Sequence, residues 1–265
     1  MTAARLIPIL VILSIGAGAC DKPGGSASKA SVTPAATQES LATLPASMTV
    51  VEAKSPQGDT VSLRYVSIGD ITIPSGKVIA CDGIVLEPDE TGFATAVPPG
   101  RYPVILTIAR FASNGDERVA CATIRFNKFD DAQPLKWEPA LRPGEDPATL
   151  EAESFFGYGV DSGTGCFIDS VGMKAIDAML ETDHAFFETT IAEMAKHKHT
   201  TWDWANLVVD PESGANLVVF SAGVGDGAYP CYFGRDAAGN VACLVTDFLL
   251  LDDKTLPWAE ARGKK

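Results

Sequence analysis

Basic residues are scarce in this sequence, and they are clustered only at its C-terminal end. The 265 residues include 21 Lys and Arg against 34 Asp and Glu, which gives a formal net charge of −13. Proteins that bind nucleic acid need clustered Lys and Arg to neutralise phosphates. The one such run here spans Arg262 to Lys265. We therefore expect no nucleic-acid partner.

The sequence also lacks an apolar run of the length that a transmembrane helix requires. The apolar stretch from Leu6 to Ile15 is shorter than the roughly 20 residues needed to cross a bilayer. It follows the single charge of Arg5 and leads through small residues to Cys20. This order is typical of a signal peptide. We predict that residues 1–19 are a signal peptide that is removed on export.

Cys20 is the predicted site of lipidation. Its position after Ala17-Gly18-Ala19 resembles a lipobox, in which the thiol after the cleavage site takes a diacylglyceryl group. Ala17 stands where that motif usually has leucine, and the same three residues also suit ordinary cleavage to a secreted protein. Residues 20–47 are rich in Gly, Ser, Ala, Thr and Pro, which predicts a flexible tether. The expected product is a bacterial lipoprotein, anchored in a cell-envelope membrane and facing the periplasm or the exterior.

No Cys-x-x-Cys pair is present, so the zinc and thioredoxin chemistry typical of that spacing is not predicted. Of six cysteines, five follow Cys20, and an odd number leaves at least one unpaired. Cys231 and Cys243 would face each other if their segments formed a hairpin turning at Asp236-Ala237-Ala238-Gly239. Opposed cysteines can form a disulfide in an exported protein. Two buried thiols are the alternative.

Alternating apolar residues predict strands over most of the chain after residue 47. Helical spacing is confined to residues 169–205, where Asp169 or Ser170 can cap a first helix and Asp183 a second. The sequence therefore predicts one globular α+β domain over 48–265, mainly antiparallel β-sheet or sandwich with a two-helix insertion near 169–205. The predicted strands are 48–53, 61–68, 71–80, 102–111, 118–126, 215–221, 228–233 and 241–251, with 102–126 forming a hairpin.

Several strings along the chain resemble a known family. They include Pro98-Pro99-Gly100-Arg101-Tyr102, Val160-Asp161-Ser162-Gly163-Thr164-Gly165-Cys166-Phe167, Gly225-Asp226-Gly227-Ala228-Tyr229-Pro230-Cys231-Tyr232 and Leu244-Val245-Thr246-Asp247-Phe248. In this order they are similar to the bacterial domain-of-unknown-function 4241 family over roughly residues 70–250. The resemblance implies a single domain and brings no catalytic residues with it.

Aspartates in loops are the strongest candidates for chemistry. Asp161-Ser162-Gly163-Thr164 matches the loop that carries one catalytic carboxylate in aspartic proteases, although no second such triplet is present. Gly223 to Gly227 forms a glycine-rich loop around Asp226. If folding gathered Asp161, Asp226, Asp169 or Asp247, their carboxylates could bind a divalent cation. Capping of helices and closing of turns is the competing role for these residues.

Two classes of function follow from these features. The first is a noncatalytic module on a membrane tether that binds an unknown protein or small-molecule ligand, with no cofactor. The second is a hydrolase that uses Asp161, Asp169 and Asp226 as catalytic residues, or a metal-binding enzyme whose cation is held by Asp161, Asp226 and Asp247. Convergence of these carboxylates in one cleft would favour the second class.

Overall fold

The computed structural model describes residues 52–87, 90–127, 134–151, 154–181 and 185–262. The predicted signal peptide, Cys20 and the tether lie outside these residues. The described part contains two α-helices, α1 (Ser170–Leu180) and α2 (Phe186–Lys196), and twelve strands. The strands are β1 (Glu52–Lys54), β2 (Thr60–Ile73), β3 (Val78–Asp82), β4 (Gly100–Phe111), β5 (Glu117–Arg125), β6 (Lys136–Pro139), β7 (Gly157–Val160), β8 (Thr164–Asp169), β9 (Trp204–Asp210), β10 (Ala215–Ser221), β11 (Gly227–Arg235) and β12 (Val241–Asp247).

The strands form two sheets. An eight-stranded sheet has the order β1-β2-β4-β5-β12-β11-β6, and β7 pairs with the other part of β11. A four-stranded sheet has the order β3-β8-β10-β9. Each strand pair in both sheets is antiparallel. The predicted α+β class with mainly antiparallel sheets and two helices is therefore confirmed.

The alternation of side chains along the strands divides the buried residues into three cores. One lies between the sheets and includes Phe167 and Phe220 from the four-stranded sheet and Leu106 from the eight-stranded sheet. The helices cover a second core on the outer face of the four-stranded sheet. The chain after β12 covers a third on the outer face of the eight-stranded sheet, with Leu251 and Trp258 buried there. The two sheets are thus packed as a sandwich with a covering layer on each side.

The first helix begins where the sequence predicts. The carboxylate of Asp169 accepts a hydrogen bond from the backbone amide of Val171 at 2.8 Å, as expected of an N-cap residue. Asp183, predicted to cap the second helix, lies outside the described residues. Neither helix of the described part is long and apolar enough to span a membrane.

Several strands differ from the prediction. β6, β7 and β8 are not among the predicted strands, and the predicted strand 241–251 ends at Asp247. The predicted strands 61–68 and 71–80 are instead one long strand, β2, followed by the separate strand β3. Gly69, at a φ of +94°, lies in a bulge where the pairing with β4 shifts, so the chain bends there and continues without turning. The residues from Trp204, predicted as the end of the helical insertion, form β9.

The predicted facing of Cys231 and Cys243 is wrong. The hairpin turns at the expected residues, with the amide of Gly239 donating to the carbonyl of Asp236. A bulge between Gly234 and Arg235 shifts the register, so that Cys231 pairs with Thr246 and Cys243 with Gly234. The two cysteines consequently point to opposite faces of the sheet, one into the central core and the other into the outer core. Both are buried thiols.

Candidate functional site

A cleft opens on the helix side of the molecule, with a volume of about 430 Å³. It lies where the end of β3, the turn between β7 and β8, the end of β10 and the helix α2 come together. Its volume is within the range of roughly 300–1,000 Å³ that is typical of small-molecule sites. The lining residues are Ile84, Ser162, Gly163, Thr164, Ile191, Met194, Ala195, Lys198, Asp203 and Ser221.

One wall of this helix-side cleft is apolar and comes mainly from α2. Ile191, Met194 and Ala195 are spaced by three and four residues, so they share one face of the helix. Ile84 approaches from the loop after β3. The Ile191 side chain is 55 % exposed, one of four large apolar residues of the described chain that remain exposed. An apolar group placed in the cleft would therefore remove apolar surface from water.

Asp82, at the end of β3, holds together the two loops at the base of the cleft. Its carboxylate accepts hydrogen bonds at 2.8 Å from the backbone amides of Ile84 and Val85, in its own loop. It also accepts bonds at 2.8 Å from the amides of Asp161 and Ser162, in the turn before β8. The Ser162 hydroxyl donates to it as well. The carboxylate thus fixes the shape of both loops through their backbones.

The environment of Asp82 favours its charged form. Burial would raise the pKa of this carboxyl group, but the Ser162 hydroxyl and the surrounding backbone amides donate to the carboxylate. Together these donors hold the pKa of Asp82 below its ordinary value. The residue is 5 % exposed, so its carboxylate serves the loops and not a ligand in the cleft.

The polar wall of the cleft contains two groups of opposite charge. Ser221 donates to the Asp203 carboxylate at 2.7 Å and accepts from the Asp203 amide at 3.0 Å. These bonds close the end of the β9–β10 pair and leave the second carboxylate oxygen of Asp203 without a hydrogen bond from Ser221. Lys198 lines the cleft just beyond α2. Neither Lys198 nor Asp203 forms an ion pair with another described residue.

Two stacked ring pairs fix the chain on either side of Lys198. The His197 ring stacks on Trp204 with centroids 3.8 Å apart, and the His199 ring stacks on Trp202 at 3.7 Å. Trp202 is buried. The backbone that carries Lys198 is therefore held between two anchored residues, although its long side chain is exposed.

Two of the predicted aspartates are neighbours on the surface. Val160 and Gly227 are the last register pair between β7 and β11, so Asp161 and Asp226 follow side by side where the strands separate. Both are exposed. The adjacent turns also touch, since the Ala222 amide donates to the Gly163 carbonyl at 2.9 Å. Neither aspartate lines the cleft: Asp161 directly precedes its lining residue Ser162, and Asp226 lines a separate cleft with Val224 and Tyr229.

The other two predicted aspartates are buried at separate places and have structural partners. Asp169, at the opposite end of β8, accepts from the Ser75 hydroxyl at 2.7 Å in addition to capping α1. Asp247, at the end of β12, accepts from the Trp258 indole and pairs with Arg262. Both carboxylates are 0 % exposed. Their roles are to order the chain around them.

The condition for a carboxylate site is therefore not met: Asp161 and Asp226 lie side by side, but Asp169 and Asp247 lie elsewhere. Among the residues that the structure describes, no group of three or more His, Cys, Asp or Glu side chains could hold a metal ion. The proposed catalytic set Asp161, Asp169 and Asp226 is divided between the surface and the N-terminus of α1, and Asp247 belongs to the other sheet. The hydrolase hypothesis required Asp161, Asp169 and Asp226 in one cleft, and the structure does not place them there.

The sequence-based prediction also missed three polar residues of this site: Asp82, Lys198 and Asp203. Asp82-Gly83 directly follows the apolar run Val78 to Cys81, and an Asp-Gly pair after a strand is a turn signal. That signal could have marked the loop. Lys198 and Asp203 lie in the segment predicted to be helical, which concealed their position beside a strand.

Comparisons with known proteins place the chain in one family. The model of the family described as "Protein of unknown function (DUF4241)" matches residues 71–246. The chain therefore belongs to this family, in agreement with the resemblance seen in the sequence. The match covers β3 to β11 completely, most of β12 and the last three residues of β2, and so includes every lining residue of the cleft. The search of curated proteins and the search of solved structures found no match.

Proposed function

We propose that this protein is an exported binding module, held at a membrane by a lipid on Cys20, whose cleft binds a small zwitterion with an apolar side chain. An apolar amino acid or a short apolar peptide has this chemistry. The observation that carries the proposal is the presence of an ammonium group, a carboxylate and an apolar wall around one cleft, in the side chains of Lys198, Asp203 and Ile191.

Each part of such a ligand has a partner in the cleft. The ligand ammonium would donate to the Asp203 carboxylate, and its carboxylate would accept from Lys198. The hydroxyl hydrogens of Ser162 and Thr164 are engaged with Asp82 and with Ser162, so these two oxygens, which line the same cleft, offer only acceptor positions to the ligand ammonium. The apolar side chain would lie on Ile84 and Ile191. A site of this type, apolar with a few polar groups that fix orientation, is typical of small-ligand recognition.

The expected affinity is low, because the cleft is open to solvent. Covering the half-exposed Ile191 contributes about 1 kcal/mol. Each partly exposed ion pair adds about 0.5 kcal/mol, and further gains come from apolar surface of the ligand itself. If burial of the ligand's own apolar surface adds about 2 kcal/mol, the total is about 4 kcal/mol, which corresponds to a dissociation constant of about 1 mM.

Isoleucine methyl NMR on the full chain tests the site directly. Titration with leucyl-leucine should shift the signals of Ile84 and Ile191, while Ile105, buried in the core on the far side of the eight-stranded sheet, should not respond. Glycyl-glycine lacks the apolar groups and N-acetyl-leucyl-leucine lacks the ammonium, so both should bind more weakly. The absence of any shift at about 20 mM leucyl-leucine, far above the expected constant, would refute the ligand class.

Matched variants separate recognition from general effects on the fold. Asp203→Asn removes the carboxylate and should weaken leucyl-leucine binding about twofold, the equivalent of about 0.5 kcal/mol. Asp161→Asn changes an exposed aspartate beside the cleft and should have no effect. Ile191→Ser should also weaken binding, whereas Val208→Ser, at a residue 63 % exposed on β9, should not. Equal effects in the two members of either pair would contradict the proposal.

The tether is tested independently of the cleft. The support for it is the order of Arg5, the apolar run and Cys20 in the sequence. Cys20→Ser should release the protein from the membrane fraction into the soluble fraction, and Ser28→Ala, in the same tether, should leave it membrane-bound. Unchanged membrane association of the Cys20→Ser variant would refute lipidation.

A further inference from the structure

Two cysteines face each other across adjacent strands of the four-stranded sheet. The register of β3 with β8 pairs Cys81 with Cys166, and their Sγ atoms lie 3.4 Å apart. Both residues are 0 % exposed and belong to the core under the helices. The sequence predicted a different pair, Cys231 with Cys243. The pairing of Cys81 with Cys166 was not predicted, because 85 positions separate the two residues.

We propose that Cys81 and Cys166 form a disulfide bond when the protein is exported to an oxidising compartment. Directly opposed residues on antiparallel strands have Cα atoms about 4.5 or 5.5 Å apart, and disulfides usually join Cα atoms separated by about 4.4–6.8 Å. The backbone already meets this condition. A small rotation of the two side chains would bring the sulfur atoms from 3.4 Å to bonding distance.

The other described cysteines have no such partner. Cys121 pairs in register with Asp247 on β12, and Cys231 and Cys243 point to opposite faces of the sheet. These three are buried as single thiols. Five cysteines allow ten possible pairs, and the structure favours one of them. The other three cysteines lie inside two apolar cores, where a thiol needs no partner.

The bond would form before the strands are fully buried. The hydrogen bond with Cys166 and burial raise the pKa of the Cys81 thiol well above its ordinary value in the folded protein, so little thiolate is present to react. In the unfolded chain both thiols are accessible. Oxidation is therefore expected during folding, and the finished bond is then protected from reductants in solution.

The reaction is thiol–disulfide exchange with a disulfide oxidant, such as oxidised glutathione. The thiolate of one cysteine attacks one sulfur of the oxidant and forms a mixed disulfide with it. The S–S bond of the oxidant breaks, and its other half leaves as a thiolate that takes up a proton. The second cysteine, losing its proton, attacks the resulting mixed disulfide and releases the second thiol. The two cysteines lose two electrons and two protons in total, and one disulfide of the oxidant becomes two thiols.

Peptide mapping of the full chain tests the proposal. The chain is unfolded, reduced, refolded with a mixture of reduced and oxidised glutathione, treated with an alkylating reagent under denaturing conditions, and digested for mass spectrometry. We expect a linked peptide pair containing Cys81 and Cys166, with Cys121, Cys231 and Cys243 alkylated. Alkylation of both Cys81 and Cys166, or their linkage to other cysteines, would overturn it.

A stability measurement gives a second readout. The urea midpoint of the oxidised chain should fall when reductant is present, because the reductant breaks a cross-link between residues 85 positions apart. The double variant Cys81→Ala/Cys166→Ala should lose this redox dependence, whereas Cys243→Ala should keep it. A midpoint that does not respond to reductant in the unmodified chain would contradict the proposal, even if the double variant fails to fold.

Discussion

The two outer faces of the sandwich each use a buried aspartate, but in opposite ways. On the eight-stranded sheet, Asp247 pairs with Arg262 and Trp258 and so fastens the C-terminal segment over the core. On the helix side, Asp82 accepts from backbone amides and a serine hydroxyl of two loops. The first arrangement closes a surface. The second shapes loops and leaves the charged groups of the neighbouring cleft available.

The largest predicted effect is on the outer face of the eight-stranded sheet, which the C-terminal segment covers. Asp247→Ala leaves the guanidinium of Arg262, whose side chain is 18 % exposed, and the buried Trp258 indole without this acceptor. Removing one partner of a buried ion pair costs about 3–5 kcal/mol, and we expect a loss of that size in the free energy of unfolding measured with urea.

The control for Asp247→Ala is a variant of the second acidic partner of Arg262. Arg262 also pairs with Asp253, whose side chain is 45 % exposed, and such pairs contribute about 0–1 kcal/mol. Asp253→Ala should therefore cost much less than Asp247→Ala. Similar losses for both variants would show that the C-terminal segment does not depend on the buried pair.

The second effect is on the cleft side. Asp82→Ala removes the acceptor of five hydrogen bonds, four from backbone amides and one from the Ser162 hydroxyl. We expect a loss of about 3 kcal/mol in the free energy of unfolding, since the loop amides must find water instead. Asp161→Ala, an exposed aspartate in the same loops, should stay within about 0.5 kcal/mol of the parent. A loss below about 1 kcal/mol for Asp82→Ala would indicate that the loops keep their shape without it.

The packing under the cleft gives a smaller effect. A Cβ atom on Gly83 would lie 2.5 Å from the Cγ1 atom of Val219 and 3.2 Å from the carbonyl oxygen of Gly165. Gly83→Ala should destabilise the protein by about 1–3 kcal/mol through overpacking. Gly159→Ala is the matched control, because nothing lies within 4 Å of the added atom there. Thermal melting of both variants distinguishes them, and equal midpoints would contradict the close approach at Gly83.

The smallest predicted effect is on the pH dependence of stability, and it concerns Asp82 on the helix side. The pKa of Asp82 is lowered in the folded protein, so its contribution is fully present above the unfolded-state pKa of about 3.9 and is lost as pH falls through the lower folded-state pKa. The stability deficit of Asp82→Asn relative to the parent should therefore shrink when urea unfolding is measured at successively lower pH from about 6 to about 3. A deficit for Asp82→Asn that is constant with pH would rule out this carboxylate as a source of acid sensitivity.

Much of the fold was predictable because it follows from local patterns. Asp169 caps α1 as predicted, and β4 and β5 form the hairpin predicted over 102–126. Register was less accessible, since the single bulge at Gly234 and Arg235 reverses the side of the sheet that each later residue faces. The strand prediction missed β6 to β9: β9 follows a helix without a strong breaker, and β6, β7 and β8 are only four to six residues long.

The site was less predictable than the fold. The sequence drew attention to Asp161 and Asp226, which are exposed, while the aspartate that organises the cleft is Asp82, far from them in the chain. Its importance depends on amides that only folding brings within reach. The same is true of Cys81 and Cys166, whose opposition follows from pairing between distant strands. Local motifs identify residues with reactive groups, but not the residues that surround them.

The pairing of β3 with β8 has a consequence for the time course of folding. These strands meet across 85 positions of the chain, whereas β4 and β5 are joined by a short turn. Closing a long loop costs more entropy and slows pairing, so we expect the local hairpins β4–β5, β9–β10 and β11–β12 to form first. The pairing of β3 with β8, and that of β5 with β12 in the other sheet, would then form later, so each sheet is completed only after distant parts of the chain meet.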